Sequence, residues 1–205
     1  MRSASLPSFS LLIFVELIQD VLPKGVLNEI IWCGRKSGEF LKNHQGLNKL
    51  AFTWYTEVGK NYSRAAEKLI PATLELGGKS ANIILDDANI EKALDGVQLG
   101  ILFNQGQVCC AGSRIFVQEG IYDDFVAKVK EKFEKIKIGD PLDPNTQMGS
   151  QIDEKQAEKI VNYIEIAKKE GGEVIVGGER YTENGCDEGA FVKPTLIAGV
   201  NNGCR

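Results

Sequence analysis

Apolar residues recur along most of the chain at the spacings of helices and strands. The predicted helices are residues 9–22, 56–69, 90–103, 122–137 and 153–169, and the first is expected to be buried and to end at Pro23-Lys24-Gly25. The predicted strands are residues 49–52, 72–76, 81–85, 114–118, 174–176 and 191–200, and residues 26–32 form a further short apolar run. Because strands and helices alternate, we expect an α/β fold with a mostly parallel sheet and flanking helices.

The composition is that of a globular chain with no nucleic-acid-binding character. Of the 205 residues, 43% are hydrophobic and 25% charged, which supports a buried core. The net charge of −4 and the lack of a basic run disfavour nucleic acid and anionic membranes as partners. His44 is the single histidine, so a multi-histidine metal site is excluded, and we expect it to be a solvated loop residue.

The five cysteines indicate a reducing compartment. They form no C-x-x-C pair and no disulfide ladder, so we expect free thiols, no metal site and a cytoplasmic location. The apolar segment at residues 11–15 is too short for a membrane span and lacks a signal-peptide cleavage site.

Two segments carry residues suited to covalent chemistry. Glu75 stands at a predicted strand end before Gly77-Gly78, and Cys109 follows 34 residues later in a polar, glycine-bearing turn. In an ordinary context a glutamate is a surface acid and a cysteine a small buried hydrophobe. We keep that ordinary interpretation for the other cysteines, including Cys110, which is expected to point toward the core.

These segments, L-E-L-G-G-K-S at residues 74–80 and F-N-Q-G-Q-V-C at residues 103–109, closely resemble the base-bearing and nucleophile-bearing segments of the aldehyde dehydrogenase superfamily. They occur in the same order and at the same spacing. The resemblance runs from about residue 16 to about residue 200 and includes T-E-V-G at residues 56–59, G-D-P-L-D-P at residues 139–144 and K-P-T at residues 193–195.

The resemblance implies oxidation of a small-molecule aldehyde to a carboxylic acid with NAD or NADP. Cys109 would form a thiohemiacetal that passes hydride to the cofactor and becomes a thioester, and its backbone N–H would be one oxyanion donor. Glu75, expected to be partly buried, would activate the hydrolytic water. The cofactor-binding candidates are Thr56, Glu57, Gly59, Leu76 and Gly77.

The chain also departs from the family pattern. Trp54-Tyr55 replaces a Gly-Ser pair before the helix that faces the cofactor pyrophosphate, so we expect weak cofactor binding. The family's earlier strands and its later E-x-F-G-P segment have no counterpart. The chain is therefore interpreted as a central fragment, with residues 1–75 a partial nucleotide-binding domain and residues 76–205 a partial catalytic domain.

Two functions remain open. The chain is either an aldehyde dehydrogenase by descent, with a family-like homo-oligomer whose oligomerising segment is missing, or a catalytically incompetent relative. The second would act as a binding or subunit-interaction protein, or would have no function.

Overall fold

The protein forms two compact units, Met1–Leu76 and Gly77–Arg205, in a computed structural model that describes residues 8–31, 34–63 and 69–204. The helices are α1 Ser8–Ile18, α2 Gly34–Asn43, α3 Thr56–Ser63, α4 Ile90–Leu102, α5 Tyr122–Glu134 and α6 Glu154–Lys169. The strands are β1 Leu50–Trp54, β2 Ala72–Leu76, β3 Ala81–Ile84, β4 Arg114–Val117, β5 Glu173–Val176 and β6 Leu196–Ala198. This alternation confirms the predicted α/β fold class.

The first unit is built on a β1-α3-β2 arrangement. The two strands are parallel, with Thr53 opposite Glu75 and Trp54 opposite Leu76. The helix α3 packs closely on β2, because a Cβ added at Gly59 would overlap the Leu76 side chain. A larger residue at position 59 would require the Leu76 side chain to move.

The helix α1 is present, but the prediction that it is buried is wrong. Leu11, Val15 and Ile18 form a half-buried stripe, whereas the remaining apolar side chains are exposed, among them Phe9 and Leu17, which are 80% and 73% exposed. The apolar residues lie all round the helix, and one neighbouring layer can cover only one side.

Some predicted elements of this unit differ from the structure. The sequence pattern did not predict α2, and the predicted helix at residues 56–69 is described only as far as Ser63. Within the run at residues 26–32, Ile30 forms a bridge, and Trp32 lies outside the described residues. His44 is exposed in the loop after α2, as predicted, and its Nδ1 accepts the backbone N–H of Gly46 at 3.1 Å.

The second unit begins with β3-α4-β4, which is again a parallel pair joined by a helix. The side chain of Asn89 caps α4 by accepting the backbone N–H of Lys92 at 3.1 Å. The inner faces of α4 and α5 supply the centre of the core, where Val97, Phe125 and Val129 are at least 98% buried. No helix in the described ranges has the length and apolarity needed to cross a bilayer.

The last two strands pair antiparallel, and β6 is much shorter than the strand predicted at residues 191–200. Val192 instead forms a bridge with Arg180. The Arg180 guanidinium donates to the Glu154 carboxylate and to the Gly189 and Phe191 carbonyls. These bonds tie the chain before β6 to the start of α6, and Pro194 then interrupts regular pairing.

Candidate active site

Cys109 lies in a tight turn between α4 and β4, and its side chain is exposed. The turn is closed by the Ala111 N–H, which donates to the Val108 carbonyl at 3.1 Å. Among the described residues, none accepts a hydrogen bond from the Cys109 backbone N–H. The turn therefore presents both a thiol and a free backbone donor.

A run of left-handed backbone precedes this turn. Asn104, Gln105 and Gly106 have φ values of 47°, 54° and 73°. Glycine adopts this conformation freely, but each other residue costs about 1–3 kcal/mol. The Asn104 carbonyl accepts the Gln107 N–H at 3.0 Å, and its side-chain Nδ2 donates to the Gln107 carbonyl at 3.3 Å. Contacts from elsewhere in the unit must offset the remaining strain.

Two hydrogen bonds join this run to the segment before α6. The side-chain Nε2 of Gln151 donates to the Gln105 carbonyl at 3.3 Å. In return, the Ile152 backbone N–H donates to the Gln107 side-chain Oε1 at 3.1 Å. The loop that carries Cys109 is thereby attached to residues more than 40 positions away in sequence.

The two sequence motifs meet inside the second unit. A Cβ added at Gly78 would lie 3.2 Å from the Cys109 carbonyl oxygen, so this glycine allows the turn to approach closely. Arg114 secures the same junction, since its Nε donates to the Lys79 carbonyl at 2.9 Å and its backbone N–H to the Ser80 carbonyl at 3.3 Å.

Glu75 lies in the first unit, near the carboxyl end of β2. Its side chain is exposed, which corrects the expectation that it is partly buried. The reason is the pleat of the strand: the half-buried Leu74 and Leu76 face inward, so the residue between them faces outward.

The cofactor-binding candidates fall into two groups. Thr56 and Glu57 are exposed in the first turn of α3, where Glu57 pairs with Lys60 at 3.4 Å. Gly59 is buried against Leu76 in the same unit. Gly77 is exposed at the start of the second unit with no atom within 4 Å of an added Cβ.

The residues before α3 do not fit the pyrophosphate of a dinucleotide. Trp54 and Tyr55 immediately precede the helix, are about half exposed, and contact each other edge to face with ring centroids 5.7 Å apart. A pyrophosphate at this position needs open space beside the first N–H groups of the helix, which two large rings restrict. The resemblance to a nucleotide-binding family and the local chemistry therefore disagree at these two residues.

The exposure of the other cysteines differs from the prediction at Cys110. Cys110 is exposed, so the expectation that it points toward the core is wrong. Inward and outward positions alternate along a strand, but both cysteines lie in the turn. Cys186 is 2% exposed, Cys204 is partly exposed, and Cys33 lies outside the described residues. Across the described ranges, no group of three or more His, Cys, Asp or Glu residues could hold a metal ion.

Parallel β-α-β units with an exposed thiol in the turn before the second strand define an α/β protein suited to cysteine chemistry. Comparison with known proteins identifies the family. The profile of the aldehyde dehydrogenase family matches residues 1–205. The chain belongs to the aldehyde dehydrogenase family.

Similar proteins agree with this assignment. An aldehyde dehydrogenase from Emericella nidulans is 43% identical over 98% of this chain and 40% of that protein. A betaine aldehyde dehydrogenase from Staphylococcus aureus, crystallised with NAD+, is 37% identical with a TM-score of 0.96 over 100% of this chain and 41% of that one. An aldehyde dehydrogenase from Bacillus cereus is 42% identical with a TM-score of 0.92 over 98% and 40%. The chain thus spans about two fifths of the length of these relatives.

Proposed function

We propose that this chain carries the nucleophile of an NAD(P)-dependent aldehyde dehydrogenase, and that Cys109 is that nucleophile. The observation that supports it most directly is the exposed Cys109 thiol beside Gly78, where the two family motifs meet. The reaction that we propose this nucleophile serves is the family's oxidation of an aldehyde to a carboxylic acid.

For this chain by itself, we propose acyl transfer that needs no cofactor. The Cys109 thiolate attacks the carbonyl carbon of an activated aryl ester, the S–C bond forms, and the phenoxide leaves as the C–O bond breaks. The Cys109 backbone N–H stabilises the oxyanion formed in this step. Water then attacks the thioester and releases the acid and the thiolate.

Glu75 is proposed as the base that deprotonates this water. The assignment rests on the family motif at residues 74–80, and its test is kinetic. With the Cys109 backbone N–H as the proposed oxyanion donor, we expect slow turnover, because each further donor would contribute roughly a hundredfold to a thousandfold.

The test is hydrolysis of p-nitrophenyl acetate by the whole chain. Cys109→Ala should abolish the enzyme-dependent rate, whereas the matched variant Cys110→Ala, which removes the neighbouring exposed thiol, should retain it. Glu75→Gln should release about one equivalent of p-nitrophenol and then slow, because the thioester forms but is not hydrolysed. Hydrolysis unaffected by Cys109→Ala would contradict the proposal.

The second candidate function, a binding or subunit-interaction role without catalysis, is supported by the exposed apolar side chains of α1. Sedimentation of the chain with and without Phe14→Ser tests it. Association that is lost in the variant supports this role, and a monomer in both cases contradicts it.

A further inference from the structure

A side chain from a distant segment forms a hydrogen bond with the left-handed loop before Cys109. The Gln151 amide donates to the Gln105 carbonyl, whose residue has a φ of 54°. The Gln151 backbone N–H also donates to the Ala190 carbonyl at 2.9 Å, so the glutamine is itself fixed to the body of the unit. Gln105 lies four residues before Cys109, so this contact fixes the start of the thiol-bearing segment.

Stability alone does not explain a glutamine at this position. Gln151 is 5% exposed and is the buried polar residue of the described core. Its Oε1 has no hydrogen-bond partner among the described residues. A buried amide with an unpaired acceptor is costly, and an apolar side chain of the same length would avoid that cost.

We propose that Gln151 is a positioning residue for Cys109, a role that rests on the proposed function of that thiol. Its amide fixes the Gln105 carbonyl and, with it, the direction in which the turn presents the thiol. The reciprocal bond from Ile152 to the Gln107 side chain fixes the same segment two residues closer to Cys109. Displacement of a reacting atom by about 1 Å can lower a rate a hundredfold. Loss of the Gln151–Gln105 hydrogen bond therefore needs to shift the Cys109 thiol only slightly to change its reactivity.

The test compares Gln151→Met with a matched control. Methionine keeps the length of the side chain but removes both the donor and the unpaired acceptor. Gln118→Met is the control, because the Gln118 amide donates to the Asp86 carboxylate at 2.7 Å beyond the far ends of β3 and β4. This variant makes the same change of side chain at an exposed position away from the Cys109 turn.

The first readout needs no catalysis. Folded protein is treated with limiting iodoacetamide, and adducts at Cys109, Cys110 and Cys186 are quantified by mass spectrometry. In Gln151→Met the ratio of Cys109 to Cys110 labelling should change at least threefold, while Cys186 stays protected and the thermal midpoint is unchanged or higher. Gln118→Met should leave the ratio unchanged.

The second readout is ester hydrolysis. Gln151→Met should lower kcat about tenfold or more with little change in KM, because the substrate still binds but the thiol is misdirected. If wild-type hydrolysis depends on Cys109 while Gln151→Met matches wild type in both readouts, the positioning role is wrong and the proposed function stands. If wild type hydrolyses no ester through Cys109, the proposed function fails, and the labelling ratio alone decides whether Gln151 orients the thiol.

A second variant covers loss of folding. If Gln151→Met exposes Cys186, Gln151→Leu is used instead, since leucine also removes the donor to the Gln105 carbonyl but fills the buried position with a different apolar side chain. A changed labelling ratio with Cys186 protected supports the inference, and an unchanged ratio overturns it.

Discussion

Replacing Gly177 by alanine should destabilise the second unit more than any surface substitution. Gly177 follows β5 with a φ of +74°, and an added Cβ would overlap the Pro194 carbonyl oxygen. It would also lie 2.8 Å from the Thr195 Oγ1, which accepts the Gly178 N–H at 2.9 Å. The variant therefore introduces both backbone strain and a collision with main-chain atoms that cannot rotate away.

The free-energy costs of backbone strain and of steric overlap can be separated by making the same substitution at a second glycine with positive φ. Alanine at positive φ costs about 1–3 kcal/mol, and overpacking costs about 1–3 kcal/mol more, so Gly177→Ala should lose about 2–6 kcal/mol. Gly171 lies on the other side of β5 with a φ of +92°, and an added Cβ would meet no atom within 4 Å. Gly171→Ala should therefore show the backbone cost alone.

The assay is the labelling rate of Cys186, because this thiol is 2% exposed and reacts when the unit opens. Burial raises the pKa of the Cys186 thiol, with smaller contributions from the charges of Asp187 and Asp140, so it is inert while folded. Both tryptophans lie in the first unit, so tryptophan emission would not follow this transition.

The expected outcome is a difference in the Cys186 labelling rate between the two variants. Labelling of Gly177→Ala should be roughly fivefold to a hundredfold faster than that of Gly171→Ala, which corresponds to about 1–3 kcal/mol. Equal rates in the two variants would refute the reasoning, because the collision would then contribute nothing.

Three other predictions concern a helix cap, a carboxyl group and the cofactor. Asp153→Ala should lower stability by about 1 kcal/mol, seen as a lower urea midpoint by circular dichroism, because the Asp153 side chain caps α6; an unchanged midpoint would contradict this. The hydrogen bond from Lys137 lowers the pKa of Asp143 from 3.8 to about 2, so its contribution to stability is present above pH ~4 and is lost as the pH falls through ~2. Asp143→Asn should flatten this part of the stability profile, and a profile identical to wild type would exclude the effect. Replacing Trp54 by Gly together with Tyr55 by Ser should raise NAD affinity about tenfold to a hundredfold by calorimetry, because about 1–3 kcal/mol of steric and desolvation cost is removed; no gain would mean that other parts of the chain limit binding.

The elements that could be predicted from the sequence are those whose signals are local. Asn89 and Asp153 each stand before an amphipathic segment, and each caps the helix that follows, so α4 and α6 begin where the pattern indicates. The helix α2 was missed because glycines at positions 34 and 38 weaken a polar segment whose large apolar residues are only Phe40 and Leu41.

The parts of the site that could not be predicted depend on distant contacts. Sequence spacing identified Cys109 and its turn, but nothing local indicates that Asn104 and Gln105 adopt left-handed backbone. The Gln105 carbonyl in this run accepts a hydrogen bond from Gln151, which is 46 residues away. The exposure of Cys110 was missed because the sequence does not indicate that it shares one exposed turn with Cys109.

The parallel pairing of β3 with β4 has a consequence for how the chain folds. The bond between the Asn82 side chain and the Gly112 carbonyl joins residues 30 positions apart, and no hydrogen bond of this sheet can form until a loop of that size has closed. Closure of this loop loses conformational entropy before any β3–β4 hydrogen bond can form. The capped helix α4 inside the loop, in contrast, forms from contacts between neighbouring residues. We therefore expect α4 to form early and to shorten the effective loop, so that Asn89→Ala should slow refolding as well as lower stability.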